Sequence, residues 1–169
     1  YFELAKRYGG VPLITKTYNL DENANKSRAS FDEVINAIVQ DIDEVKDNLV
    51  EDWKSEGYSD MDGRLTKGAA LSIKARALLY AASPLFNPEN NKEKWERAAA
   101  ASHDIIAMNR YKLHTSYKTL FTTKITNTSK ETIWAIRMGQ TNDFERANYP
   151  VGTPGGGTGI CPSQNLVSE

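Results

Sequence analysis

Cysteine and histidine are scarce in this sequence, and long apolar runs are missing from it. With one cysteine, Cys161, among 169 residues, no disulfide can form within the chain. The two histidines, His103 and His114, lie apart and have no partner residues at the spacing of a metal site. No apolar run reaches the roughly 18 residues of a membrane-spanning helix. The sequence therefore excludes a disulfide scaffold and predicts neither a metal site nor a membrane span.

An excess of charge of one sign is also missing. Lys and Arg number 21 and Asp and Glu number 22, so the net charge is −1 at pH 7. A near-neutral chain gives no electrostatic reason to expect nucleic acid or an anionic membrane surface as a partner. Apolar residues make up 40% and charged residues 25%, which is typical of a globular domain with its own core.

Motifs of catalysis and cofactor binding are absent as well. The sequence has no G-x-S-x-G, H-E-x-x-H or G-x-x-x-x-G-K-[ST] segment and no paired-cysteine motif. Asp60 and Asp62 before Gly63 are similar to part of a calcium loop. With Gly63 at the sixth loop position, however, Tyr58 and Ala69 occupy the end positions, where carboxylates are needed. We predict no catalytic residues, no cofactor and no metal.

The stretch from Gly63 to Phe86 has the strongest pattern, a helix with two apolar faces. Thr66 can cap this helix and Pro84 cannot continue it, which predicts a helix over 66–83. One face consists of Ala69, Ala70, Ile73, Ala77, Tyr80 and Ala81, and the other of Leu71, Ala75, Leu78, Leu79 and Ala82. Because a surface helix needs only one apolar stripe, we predict that this helix lies between neighbours at the centre of a stacked array.

Two further helices are predicted, over 30–50 and over 92–109. Each begins with a capping-box pattern, in which a short polar residue precedes a Glu by three positions. The pairs are Ser30 with Glu33 and Asn90 with Glu93. In the later helix Trp95 precedes small residues at three and four positions, the arrangement by which tetratricopeptide helix pairs interlock. We therefore place Trp95 in the core.

The remaining segments predict little regular structure. Residues 1–8 read as the end of a helix, and 132–138 as a short buried strand with Trp134 in the core. The predicted loops are 15–29, 50–65 and 114–130. The predicted fold class is mainly α, with tetratricopeptide-like stacked helix pairs, an irregular loop-rich region and one or two short strands. The scaffold spans 1–138, and 139–169 is a truncated, loop-rich region of the same domain.

The order of these segments is similar to that of a known family. An extended YGGVPLI is followed by R-x-S-F-x-E-V from Arg28, GR-x-T-K-G-A-A, W-x-x-A-A, Y-K-L and the stretch 162–167. This set resembles the SusD/RagB family of bacterial outer-membrane nutrient-binding lipoproteins over nearly the whole chain. The chain starts in mid-pattern without an initiator Met or a signal peptide, so we expect a piece of a longer protein. Cys161 cannot replace the N-terminal lipid-bearing cysteine of the family.

The resemblance implies a non-enzymatic protein of polysaccharide utilisation. Such a protein is a surface-exposed lipoprotein of the cell outer membrane. It binds a glycan or oligosaccharide and presents it to a SusC-like TonB-dependent outer-membrane transporter. It would touch the membrane only through an N-terminal lipid anchor that is absent from this chain. The helical pattern by itself leaves an alternative open, an intracellular tetratricopeptide-type scaffold that binds a protein.

One polar loop combines flat aromatic rings with hydrogen-bonding side chains. Phe144 and Tyr149 lie in it beside Asn142 and Arg146. Sugars are held by aromatic faces against their C–H surfaces and by amide or guanidinium groups on their hydroxyls. We therefore expect all four residues to contact the ligand, with Tyr149 as the stacking platform. An ordinary variable surface loop is the alternative.

The helical periodicity makes a prediction about the spectrum of the chain. Since three long segments keep helical spacing, we expect the far-ultraviolet circular dichroism of the chain to be dominated by α-helix. A spectrum dominated by β-structure would contradict the predicted fold class.

Overall fold

The computed structural model, which describes residues 1–22, 25–61, 63–122, 129–135, 142–149, 152–156 and 168, is helical. Its helices are α1 (Phe2–Tyr8), α2 (Phe31–Val45), α3 (Lys67–Ala82), α4 (Lys92–Ala107), α5 (Tyr117–Thr122) and α6 (Asp143–Asn148), with short 3-10 helices at Lys46–Asn48 and Ser59–Met61. The chain divides into two compact units, Tyr1–Ala135 and Ile136–Glu169. The predicted fold class, mainly α with tetratricopeptide-like stacked helices, is confirmed.

Side-chain caps set the starts of α2 and α3 as the sequence predicts. Ser30 accepts a hydrogen bond from the Glu33 N–H at 3.2 Å, and the Glu33 carboxylate accepts one from the Ser30 N–H at 2.7 Å. The Thr66 hydroxyl oxygen accepts from the Ala69 N–H at 3.3 Å. These bonds satisfy N–H groups that a helix start otherwise leaves without a partner.

Helix α3 is the centre of the first unit, because it is buried on both of its apolar faces. Nine of its 16 residues are buried: Gly68, Ala69, Ala70, Leu71, Ala75, Ala77, Leu78, Ala81 and Ala82. It contacts both α2 and α4. Small side chains allow this close approach of three helices, whereas Leu79 on the second face remains 50% exposed. The two-sided burial predicted for this helix is confirmed.

The YGG segment at the end of α1 is held by Arg28. The Arg28 guanidinium donates to the carbonyl oxygen of Gly10 at 2.8 Å and to that of Tyr8 at 2.5 Å. The backbone of Gly10 lies against the carbonyl of Ala29, where a side-chain carbon would not fit. Val11 accepts a hydrogen bond from the Ala29 N–H at 3.1 Å. This arrangement joins the end of α1 to the segment that leads into α2.

An ion-pair cluster ties α2 to α3. The Asp43 carboxylate accepts from Lys74 of α3 at 2.7 Å and from Lys46 at 2.8 Å. Hydrogen bonds from these two lysines lower the pKa of the Asp43 carboxyl below its ordinary value. A lowered pKa favours the folded state at neutral pH, and this contribution is lost as the pH falls through the folded-state pKa. Asp43 of α2 is therefore used in packing this helix against α3.

The prediction for Trp134 is wrong. Residues 132–135 form no strand, and 136–138 lie outside the described residues. Trp134 is 48% exposed, and its indole N–H donates to the carbonyl of Gly63 at 2.9 Å. A short apolar segment forms a strand only where a partner strand pairs with it, and an indole held by its polar tip can remain at the surface.

Helix α4 begins at Lys92 as predicted, whereas its capping residue and the position of Trp95 differ from the prediction. Trp95 is 40% exposed, and its indole N–H bonds the side chain of Asn90 at 3.0 Å. The cap is Asn91, whose side chain accepts from the Glu93 N–H at 2.9 Å. Asn90 has a φ of +51° and so lies outside the helix. The buried contacts of α4 come from small residues such as Ala98.

Two segments predicted as loops contain short helices. Helix α5 lies within 114–130, and α6 lies within 139–160. Each has six residues, which is fewer than two turns. Hydrophobic periodicity cannot reveal a helix of this length, because it needs a window of about 11 residues or more.

The buried position of Ala77 gives a stability prediction. Ala77 is 0% exposed, so Ala77→Glu places a carboxylate without a partner inside a helix interface. We expect a loss of at least about 3 kcal/mol in the free energy of unfolding, measured by thermal or denaturant unfolding. Arg76→Glu, which puts the same side chain on an exposed position of the same helix, is the control and should change stability little. Equal melting temperatures for the two variants would contradict the two-sided burial.

Candidate functional site

The four residues predicted to contact ligand lie in the second unit, in and around α6. The carbonyl of Asn142 accepts a hydrogen bond from the Arg146 N–H at 2.9 Å, which closes the first turn of the helix. Phe144 belongs to α6, and its side chain lies outside what the structure describes. Tyr149 follows the end of the helix and is 44% exposed. The segment is therefore a helix with flanking residues and not the irregular loop that the sequence predicts.

The helix gives these residues a definite spacing. Asn142 and Arg146 are four positions apart and lie on the same side of the first helical turn. Tyr149 follows three positions after Arg146, directly beyond the end of the helix. Asn142 and Arg146 are both exposed. One side of α6 therefore combines an amide and a guanidinium, and a phenol follows the end of the helix. Such groups suit a ligand with several hydroxyl groups.

Arg146 also has a structural contact. Its Nε donates to the carbonyl oxygen of Gly155 at 3.3 Å and so joins α6 to the glycine-rich segment 152–156. Gly152 and Gly155 have φ values of +96° and +80°, a backbone conformation that favours glycine. A guanidinium has five N–H donors, and this bond uses one of them. The segment 152–156 is thus part of the surroundings of the candidate site.

The site is built from neutral polar groups, one cation and aromatic rings. Among the described residues, no three His, Cys, Asp or Glu side chains form a group that could hold a metal ion. Within the same residues, no helix has both the length and the apolar character to cross a membrane. What the α6 surface offers chemically is hydrogen bonding and stacking.

A second surface arrangement was missed by the sequence. The indole N–H groups of Trp53 and Trp134 both donate to backbone carbonyls of the segment 63–65. Trp134 and Gly63 are 71 positions apart. No local pattern could have shown this contact.

Three comparisons with known proteins agree with one another. A family described as starch-binding and associating with the outer membrane matches residues 1–79. A SusD-like protein P38 from Formosa agariphila is 29% identical over 185 residues, which cover 100% of this chain and 32% of that protein. The crystal structure of a SusD-like protein from Bacteroides fragilis matches with a TM-score of 0.65 and 25% identity, over 82% of this chain and 25% of that one. The chain thus spans about a third or less of these relatives.

Proposed function

We propose that this chain belongs to the SusD/RagB family and is part of a protein that binds oligosaccharides at the outer membrane for nutrient uptake. The observation that supports this most strongly is the match over residues 1–79, whose family is described as starch-binding and associating with the outer membrane. The matched residues include Arg28, which bonds the YGG segment, and most of α3. The match therefore covers contacts that hold the first unit together.

Recognition in this proposal belongs to segments outside the long helices. The side chains of α3 are used for packing, whereas Asn142 and Arg146 are exposed beside a glycine-rich segment. Loops and element ends held by a rigid scaffold are the usual places for binding residues. We propose that Asn142 and Arg146 bond sugar hydroxyls, that Tyr149 stacks on a sugar face and that Phe144 contributes a further aromatic contact.

The partner and the location follow from the same family membership. We propose that the whole protein is a surface-exposed lipoprotein of the outer membrane, held there by an N-terminal lipid. In this arrangement it presents its oligosaccharide to a SusC-like TonB-dependent transporter. Co-purification of the full-length protein from solubilised outer membranes tests this step. A transporter of this class in the eluate is the expected result. Recovery of the protein without a transporter, under conditions that keep membrane complexes intact, would contradict it.

The binding proposal is tested with a panel of defined oligosaccharides. We expect the full-length protein to bind at least one of maltoheptaose, xylohexaose, laminarihexaose and mannohexaose in isothermal titration calorimetry. If none of the four binds, the proposal of a polysaccharide-derived ligand fails.

The stacking role of Tyr149 gives a prediction for one side chain. With the oligosaccharide that binds, Tyr149→Ala should weaken binding by about 1–3 kcal/mol, the range known for bases stacked on aromatic rings. Tyr8→Ala, which removes an exposed tyrosine from the first unit, is the matched control and should leave the affinity unchanged. Unchanged affinity in both Tyr149→Ala and Phe144→Ala would move the site away from α6.

The absence of hydrolysis is a separate prediction. A glycosidase needs a carboxylic acid with a raised pKa beside a second carboxylate, and the sequence has no catalytic motif that would supply such a pair. We expect no release of reducing sugar when the full-length protein is incubated with starch, xylan, laminarin or mannan. Release that is abolished by substituting a single carboxylate would show that the protein is an enzyme.

A further inference from the structure

Two indoles of the first unit bond the segment 63–65, which leads into α3, and a tyrosine ring contacts one of them. The indole N–H of Trp134 donates to the carbonyl of Gly63 at 2.9 Å. The indole N–H of Trp53 donates to the carbonyl of Leu65 at 3.2 Å. The ring of Tyr58 contacts that of Trp53 edge to face, with 6.1 Å between ring centroids. We call Trp53, Tyr58 and Trp134 the aromatic cluster.

The aromatic cluster presents carbon surface to solvent. Trp134 is 48% exposed and Tyr58 is 52% exposed. Because both indole N–H groups are bonded to carbonyls, the exposed part of each indole is the apolar part of its ring. These bonds also fix the orientation of the rings, so a ligand would lose little side-chain freedom by stacking on them. Rings held in this way suit a ligand with a flat, C–H-rich surface.

The separation of the two indoles suits an extended ligand. Gly63 and Leu65 are two residues apart, so their carbonyl oxygens lie within about 7 Å of each other. Adding the two hydrogen bonds places the indole nitrogens of Trp53 and Trp134 within about 13 Å. This upper bound for the two indole nitrogens is within the length of a short oligosaccharide.

Charged groups that can bond hydroxyls lie next to Trp53 in the chain. Arg110 pairs with Asp52 at 2.7 Å and with Glu51 at 3.6 Å, and all three side chains are partly exposed. The N–H of Lys67 donates to the carbonyl of Val50 at 2.9 Å, which fixes this segment to the start of α3. Carboxylate and guanidinium groups beside aromatic rings are the mixture by which hydroxyl-rich ligands are recognised.

We propose that the aromatic cluster is a second oligosaccharide-binding surface, on which Tyr58 and Trp134 stack against sugar rings. The inference rests on the proposed function, since it assigns a further contact for the same class of ligand. Every group in the aromatic cluster belongs to the first unit, whereas the α6 residues belong to the second. The competing explanation for the exposed rings is that another part of the full-length protein covers them, and the test distinguishes this outcome.

The test uses the full-length protein and the same four oligosaccharides, maltoheptaose, xylohexaose, laminarihexaose and mannohexaose. Trp134→Ala and Tyr58→Ala should each weaken binding about fivefold to tenfold in calorimetry, with the melting temperature close to that of the wild type. Trp134→Phe, which keeps a ring but loses the N–H, should retain most of the affinity. Trp95→Ala is the matched control, because Trp95 is a similarly exposed indole on α4 whose N–H also has a partner.

The alternative results separate the two proposals. If Tyr149→Ala weakens binding while both cluster variants bind normally, the second surface is overturned and the proposed function is retained. If Trp134→Ala lowers the melting temperature strongly and Trp134→Phe and Tyr58→Ala bind normally, the rings serve internal packing and the inference fails. If the wild type binds none of the four oligosaccharides, the proposed function and the inference both fail.

Discussion

The burial of α3 on two faces is the constraint on which the first unit depends. Its small residues let α2 and α4 approach it closely. A larger side chain at one of these small, buried positions would push the helices apart. Gly68 shows how tight this packing is, because the ring of Tyr111 occupies the space that a side chain there would need. Burial in turn raises the pKa of the Tyr111 hydroxyl. Tyr111 thereby fixes the chain that leaves α4 against the start of α3.

Polar contacts at the edges of this core determine how the helices are joined. Lys94 of α4 bonds Asp32 of α2 and also the carbonyl of Phe86, while Lys74 of α3 bonds Asp43. These groups are partly exposed, so each contributes little stability by itself. Their role is to orient the helices, since they keep three helices in one arrangement. The helix ends and connecting segments are left outside this packing. A scaffold of this kind can bind different ligands when only the connecting segments change.

The sequence was sufficient to predict the long helices, but it was insufficient to predict the contacts of the surface residues. The capping box at Ser30 and the two-faced pattern of α3 are local, and both were predicted correctly. Trp134 was misplaced because its hydrogen bond to Gly63 joins residues far apart in the chain. The candidate residues Asn142 and Arg146 were chosen from their side-chain types, and their role in binding stays a prediction. The helix that spaces them could not, because six residues carry too little periodicity.

We infer that a rigid helical core carries the recognition segments, and hydrogen–deuterium exchange of the full-length protein can check this claim. Exchange is compared with and without the oligosaccharide that binds. We predict that the amides of α3 exchange most slowly in both states, because they lie in the most buried element. Protection induced by the oligosaccharide should be confined to segments outside α2, α3 and α4. Protection centred on those three helices, or α3 amides that exchange as fast as those of α1, would contradict the claim.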